Sequence, residues 1–154
     1  MIEALDNKEK LIGLCRLCGG YAWKWIAKDA PATPDISIDG IDVWWNRQTG
    51  GWLRNPEAKR EMGSIYSLPG LDLNYAAVVI GPDLYYDTAS REIRVNRKQF
   101  FDNKVKRSAT DDELKSYILN TYAVLLTRGI LGTYVYVCDD ALREYLRKFI
   151  PSAE

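Results

Sequence analysis

Histidine is absent from the 154-residue chain. Ser-His-Asp triads, Cys-His dyads, His-ligated zinc and imidazole acid–base catalysis all need that side chain. Any chemistry must therefore use carboxylates, Lys, Arg, Tyr, Ser, Thr or Cys, or be shared with a partner. The 21 basic and 21 acidic residues cancel, whereas a protein that coats nucleic acid is strongly basic.

Long apolar runs are also missing. The longest, Tyr75 to Ile80, is far shorter than the roughly 20 residues that cross a bilayer. Residues 1–10 mix acids and bases, which a secretory signal peptide does not do. These features predict a cytoplasmic protein without a membrane segment.

Cysteine is scarce. Cys15 and Cys18 form a CxxC, and Cys138 stands alone. Zinc binding would need a second CxxC or histidines. A helix predicted over Asp6–Leu17 would place the pair near a helix C-terminus, where the dipole opposes thiolate formation. We therefore expect buried, unreactive thiols and no metal site.

The tryptophans are clustered, since all five fall within residues 23–52. In the same region, Ile36–Ile38 and Ile41–Val43 alternate apolar and polar residues around Asp39-Gly40. This pattern predicts a β-hairpin. The indoles either form a stacking platform for bases or attach the hairpin to the domain.

The second half of the chain alternates strands and helices. The continuous apolar runs 76–80 and 133–138 indicate strands buried on both faces of a parallel sheet. Between them, residues 85–95 are typical of a hairpin, and a capping box at Thr110–Glu113 begins a helix that extends to Arg128. We expect Gly129 to be its C′ residue. A last helix over 140–149 completes a βαβα unit, in which the two runs are parallel and close in one sheet.

A basic segment follows the second predicted hairpin. Residues 91–107 contain seven basic and two acidic residues, a local charge of +5, together with Phe100 and Phe101. Interleaved basic and aromatic residues suit single-stranded nucleic acid, and a solvated surface loop is the alternative. The candidate nucleic-acid contacts are Arg97, Lys98, Lys104 and Lys106.

Two positions suggest a ligand site. The turn Ser67–Asp72 lies between two predicted strands, and Gly70 permits close approach of a ligand to the backbone. We expect this turn at the carboxyl ends of parallel strands, where α/β sheets bind ligands. Arg128 follows core-facing helix positions, so it either needs an anionic partner or neutralises the helix dipole and the last carbonyls.

These segments resemble motifs V and VI of superfamily 1 helicases, and more closely the C-terminal lobe of the bacterial Schlafen-like DNA/RNA helicase family. The matching segments are GSIYSLPGLDLNYAAVVIG (63–81), YAVLLTRGILGTYVYVC (122–138), GGYAWKW (19–25) and LREYLRKFI (142–150). The resemblance implies a three-layer RecA-like α/β fold of the P-loop NTPase type. It would form a single lobe over residues 1–154, with an inserted aromatic hairpin and excursions at about 21–53 and 84–107.

In that family, ATP lies between two RecA-like lobes. By resemblance, Arg128 is the catalytic arginine of motif VI, and Thr127 supports it. Ser67, Gly70 and Asp72 match the motif V loop, which lies near the nucleotide. ATP and Mg²⁺ would bind only in the complete enzyme. The implied partners are an N-terminal lobe, from the same gene or another chain, and single-stranded DNA or RNA.

The chain departs from the family pattern in two ways. Pro69 stands where the family has Gln, which removes a hydrogen-bonding side chain and a backbone N–H. The phosphate-binding pattern GxxxxGK[ST] is also absent. We therefore expect a motor lobe that is inactive alone. The alternative is a degenerate RecA-like protein-interaction module without a nucleotide role.

Overall fold

The computed structural model describes residues 1–47, 51–68 and 70–152. The helices are α1 (Ile2–Ile12), α2 (Asn103–Ser108), α3 (Asp111–Leu126) and α4 (Asp140–Leu146). The strands are β1 (Cys15–Gly19), β2 (Ile36–Ile38), β3 (Ile41–Trp45), β4 (Glu61–Gly63), β5 (Leu73–Ile80), β6 (Leu84–Asp87), β7 (Glu92–Val95) and β8 (Gly129–Val137). Short 3-10 helices cover Trp52–Arg54, Pro56–Arg60 and Arg97–Gln99.

Within the described residues, six strands form one curled, mostly parallel sheet in the order β2-β3-β4-β1-β5-β8. Only β2 runs antiparallel to its neighbour. The two predicted buried strands are parallel neighbours, with Ala76 opposite Thr133 and Ile80 opposite Val137. The prediction of a parallel sheet joined through the 110–128 helix is therefore confirmed, and the fold is mixed α/β.

Both faces of the sheet are covered. On one face, Val78 and Ile80 of β5 pack in one core with Leu114 and Ile118 of α3. On the other face, Val79 of β5 belongs to a second core that includes side chains of α1 and the β2–β3 hairpin. Alternate β5 side chains thus enter different cores, which explains why the run is apolar throughout.

The first predicted helix is wrong in its second half. α1 ends at Ile12, where Gly13 adopts a left-handed φ of 68°, and Cys15–Gly19 is a strand that is buried throughout. A short apolar run has no period that separates a buried strand from a helix. We call the core that includes α3 side chains the α3 core, and the core that includes α1 side chains the α1 core. Cys15 belongs to the α1 core and Cys18 to the α3 core, so the two cysteines are on opposite sides of the sheet.

The thiols are protonated because of burial rather than a helix dipole. Burial raises the pKa of Cys18 to about 12 and that of Cys138 to about 11, and it also raises the pKa of Cys15. Both cysteines of the CxxC are buried as expected, and Cys138 is half-buried. No group of His, Cys, Asp or Glu that could hold a metal occurs among the described residues.

Both predicted hairpins form. Asp39 and Gly40 have φ angles of 51° and 77°, as a two-residue type I′ turn requires. Trp45 and Trp52 are buried in the two cores, so these two indoles attach the region to the domain. Of the second excursion, residues 84–95 form the antiparallel β6–β7 pair.

Helix α3 begins as predicted and ends differently. Thr110 and Glu113 form the capping box. Thr127 is the C-cap residue, whereas Gly129 is the first residue of β8. The expected C′ role of Gly129 is therefore wrong. A Cβ at that position would collide with the Gly132 carbonyl oxygen, so close backbone approach accounts for this glycine.

No helix in the described residues has the length and apolar character needed to cross a membrane.

A buried carboxyl group follows β5. Asp83 has no solvent exposure, and its Oδ1 accepts a 2.8 Å hydrogen bond from the Tyr122 hydroxyl. That hydroxyl in turn accepts a 2.9 Å bond from the Gly81 N–H. Burial raises the pKa of Asp83 from 3.8 to about 7, because a charged carboxylate is poorly solvated there.

Because the pKa of Asp83 is higher in the folded state, its contribution to stability is present near pH 4 and is lost as the pH rises through 7. The loss amounts to at most about 4 kcal/mol. Asp83→Asn keeps an acceptor for Tyr122 and should flatten this dependence, as measured by urea unfolding from about pH 5 to 8. Exposed Glu144→Gln is the control. Equal slopes for wild type and Asp83→Asn would contradict the assignment.

Candidate functional site

Three segments meet where β1, β5 and β8 begin. The Asn74 N–H donates to the Leu14 carbonyl, and the Leu73 N–H donates to the Arg128 carbonyl, both at 2.9 Å. Residues 14, 72–74 and 128 therefore lie side by side at the amino ends of the parallel strands. The expectation that the ligand turn sits at the carboxyl ends is wrong for Asp72, because this residue comes directly before β5.

Arg128 contacts both a carboxylate and a helix end. Its Nη1 lies 3.6 Å from Asp72 Oδ1, and the two side chains are 26% and 61% exposed. Its Nε donates to the Val124 carbonyl at 3.1 Å. Arg128 thus has an anionic partner and also binds a carbonyl group at the helix end, the two roles that the sequence left as alternatives. A partly exposed pair at this distance is weak, so an incoming anion can replace Asp72 at low cost.

The other three predicted nucleotide-binding residues are Thr127, Gly70 and Ser67, and they do not all lie beside Arg128. The exposed Thr127 hydroxyl donates to the Val124 carbonyl at 2.9 Å and so binds the helix end. Gly70 is exposed with a left-handed φ of 68°, which favours glycine. The Ser67 hydroxyl donates to Asn46 Oδ1 at 2.6 Å. Both residues follow the carboxyl ends of strands, Asn46 after β3 and Ser67 after β4. The structure therefore brings Asp72 and Arg128 together and places Ser67 in a different contact. Pro69 lies outside the described residues.

An apolar rim that sequence reasoning missed lies at the same edge. We call it the amino-edge patch and define it as Leu11, Ile12, Leu14, Ile130 and Leu131, all of which are exposed. The Ile12 carbonyl accepts from the Asn74 side chain, and residues 130–131 lie where the β5–β8 register shifts. Contiguous exposed apolar residues mark contact surfaces. The sequence signal was the pair Ile130-Leu131, which falls between two glycines.

Half of the candidate nucleic-acid contacts in the basic segment already bind other parts of the domain. Arg97 binds Asp111 at 2.7 Å, and its two terminal nitrogens donate to the carbonyls of Lys106 and Ala109. The Lys106 ammonium donates to the Phe100 carbonyl at 2.9 Å. Lys98 and Lys104 are exposed. Arg97 and Lys106 therefore connect the segments around α2, whereas Lys98 and Lys104 face solvent.

Comparison with known proteins gives the family. Residues 1–139 match the family described as Schlafen group 3, DNA/RNA helicase domain. The chain belongs to this family. This Schlafen group 3 domain is also 32% identical over 155 residues to the uncharacterized protein YPL245W of Saccharomyces cerevisiae. The alignment covers 95% of the chain and 34% of that relative, so the chain spans about a third of the relative's length.

No solved structure matches the Schlafen group 3 domain. The expected relation to Schlafen-like helicases is confirmed by the family match. The assignment to a C-terminal lobe, and the roles of Arg128 and the 67–72 loop, remain predictions from resemblance.

The contacts predict different stability effects for two arginines of the domain. Arg128→Lys should change the free energy of unfolding by less than about 1 kcal/mol, since its partners are exposed. Arg97→Ala should lower it by about 2 kcal/mol, because several hydrogen bonds from a charged group are lost. Urea unfolding measures both, with exposed Lys98→Ala as the control. Arg97→Ala indistinguishable from Lys98→Ala would refute the connecting role of Arg97.

Proposed function

We propose that this chain is the C-terminal RecA-like lobe of a helicase-type, nucleic-acid-dependent ATPase. It would supply Arg128 and the 67–72 loop to an ATP site shared with a Walker A lobe, which belongs to the same polypeptide or to another chain. The main support is the partly exposed, weakly paired guanidinium of Arg128 at the same edge as the amino-edge patch. Membership of a DNA/RNA helicase domain family supports the same conclusion.

The residues present fit a phosphate better than a metal. Arg128 offers guanidinium N–H donors in a planar fork that suits phosphate oxygens. No group of three or more His, Cys, Asp or Glu residues that could hold a metal ion occurs among the described residues, and in this proposal the Walker A lobe binds Mg²⁺. The chain lacks GxxxxGK[ST], and in this proposal the Walker A lobe supplies the phosphate loop.

The proposed contribution of the chain is electrostatic. In phosphoryl transfer to water, charge accumulates on the γ-phosphate oxygens, and an arginine aimed at them stabilises the transition state. Arg128 would exchange its 3.6 Å contact with Asp72 for this phosphate. The bond from Nε to the Val124 carbonyl would hold the guanidinium in place during the exchange.

The amino-edge patch is the proposed contact with the Walker A lobe. Its exposed side chains come from two elements at this edge, with Leu11 and Ile12 at the end of α1 and Ile130 as the second residue of β8, two positions after Arg128. Closure of two lobes over this edge would exclude water from the guanidinium, which strengthens its interaction with phosphate.

A degenerate protein-interaction module is the second candidate. Pro69 in place of the family's Gln removes a polar side chain at the nucleotide loop, and Arg128 already neutralises a helix end. In this case the amino-edge patch would bind a protein, and nucleotide would have no effect on the chain.

An ATPase assay separates these functions. The chain alone should show no Mg²⁺-dependent turnover. In the complete protein or complex that carries the Walker A lobe, Arg128→Lys should lower ATP hydrolysis by about 10³-fold or more, since Lys lacks the planar fork. ATP binding, measured by equilibrium titration, should be retained.

Arg147→Lys is the matched control, because Arg147 is an exposed arginine paired with Glu144. Normal hydrolysis by Arg128→Lys in the complete enzyme would exclude the proposed role of Arg128. Robust hydrolysis by the isolated chain would show that it is not an incomplete lobe.

A further inference from the structure

One long side of strand β8 has no neighbouring strand. Among the described residues, β8 ends the six-stranded sheet, whose other terminal strand is β2. β2 has three residues, whereas β8 has nine, GILGTYVYV, and none of the nine is charged or a proline. Proteins protect terminal strands from further pairing by keeping them short or by placing charges or proline in them. β8 has none of these features, so its free side is suited to pairing with another strand.

The register of β8 shows which backbone groups face this free side. Residues 133–137 pair in constant register with residues 76–80 of β5, and the Cys138 N–H donates to the Ile80 carbonyl at 2.9 Å. Successive residues of a parallel strand direct their backbone groups to opposite sides. The N–H groups of Val135 and Val137 and the Val135 carbonyl are therefore directed away from β5, toward the position of an added strand.

The free side of β8 forms the floor of a cavity, which we call the β8 channel. The channel has a volume of about 490 Å³ and includes the five consecutive β8 residues 133–137 in its lining. One wall contains Ala4 of α1 and Asp39 of the β2–β3 hairpin, and the other contains Leu146 of α4 and Ile150. These walls belong to the layers on the two faces of the sheet, so the channel lies where the next strand of the sheet would be.

The two walls differ in polarity, and this difference selects the side chains of an added strand. Successive side chains of a strand point to opposite faces. On one face they would meet Leu146 and Ile150, beside the α3 core. On the other face they would meet Asp39, which accepts a 3.2 Å hydrogen bond from the Tyr136 hydroxyl. A segment that alternates apolar β-branched residues with hydroxyl-bearing or basic residues fits both walls.

We propose that β8 binds an extended segment of a partner protein, which adds to the sheet as a further strand. Main-chain hydrogen bonds to Val135 and Val137 supply affinity, and the walls select the alternating side chains. Arg143 limits the length of the pairing, because its Nε and Nη2 already donate to the Val137 carbonyl at 3.0 and 2.7 Å. The inference does not rest on the proposed ATP site, since the channel begins beyond Arg128.

A second copy of this chain is a poorer occupant than a single extended segment. Two β8 strands would have to approach within about 4.8 Å to pair. The walls project past β8 on both faces of the sheet, since they line the same cavity as its free side. They would meet the walls of the second copy before the strands could pair, whereas one extended segment can enter between them.

Binding of a synthetic peptide to the 154-residue chain tests the proposal. The probe is fluorescein-labelled KVTVTVTK, in which valine and threonine alternate, and fluorescence anisotropy measures its affinity. Two matched probes carry backbone N-methyl groups, one on the valines and the other on the threonines. Because alternate N–H groups of a strand face the same side, only one pattern blocks pairing with β8. That probe should bind about tenfold or more weakly, and the other should bind within about threefold of the unmethylated peptide.

Variants of the chain test the same contacts from the protein side. Val135→Pro removes an N–H that faces the channel, which terminal strands tolerate, and should weaken peptide binding by about tenfold or more. Ile150→Ala removes part of the apolar wall and should weaken binding by about threefold to tenfold. Phe149→Ala is the matched control, because Phe149 is 68% exposed and lies outside the channel lining. Urea unfolding verifies that each variant is folded, and the methylated peptides decide the question if Val135→Pro is not.

The proposal is overturned by any of three results. These are no binding of the unmethylated peptide at about 1 mM, equal weakening by both methylation patterns, or equal binding by wild type and Ile150→Ala. Sedimentation velocity of the chain without peptide tests the other occupant. A dimer that Val135→Pro disrupts would show that a second copy covers β8, and it would also overturn the proposal. None of these measurements includes nucleotide, so the role of Arg128 is judged separately.

Discussion

Burial of β5 on both faces is the constraint on which the rest of the structure depends. Its side chains enter the α3 core and the α1 core in alternation, and β1 and β8 cover its two backbone edges. Such a strand cannot shift by one residue without exchanging the two sets of side chains. The positions of the residues before and after β5 are therefore fixed together.

The contacts at the two ends of β5 follow from this arrangement. Asp72 comes directly before β5, and the helix that crosses from β5 to β8 delivers Arg128 beside it. At the other end, Asp83 and Tyr122 connect the exit of β5 to α3 through buried hydrogen bonds. α3 is thus attached near both ends of β5, which holds Arg128 in register with Asp72.

The sequence predicts elements whose signals are local. The capping box at Thr110 and the Asp39-Gly40 turn each depend on a few neighbouring residues, and both form as expected. The sequence does not predict the strand at Cys15–Gly19, because these residues continue the helical pattern of α1 and only sheet pairing distinguishes the two. Pairing partners lie up to about sixty residues away.

Side-chain partners are harder still to predict for the candidate site. Arg97 and Lys98 are adjacent basic residues in sequence, yet one holds three partners and the other faces solvent. The pairing of Asp72 with Arg128 needs β5 and β8 to be neighbours, which the βαβ order does predict. The rings of Tyr21, Tyr66 and Tyr117 meet from three separate segments, and no local pattern reveals that assembly.

One loop connects the two edges of the sheet. It leaves β4 at Gly63, presents Tyr66 at the carboxyl edge and ends at Asp72 at the amino edge. Leu68 anchors its middle in the α3 core, and the Leu71 N–H closes a turn onto the Leu68 carbonyl. A movement of Tyr66 is therefore resisted by buried packing before it reaches Asp72.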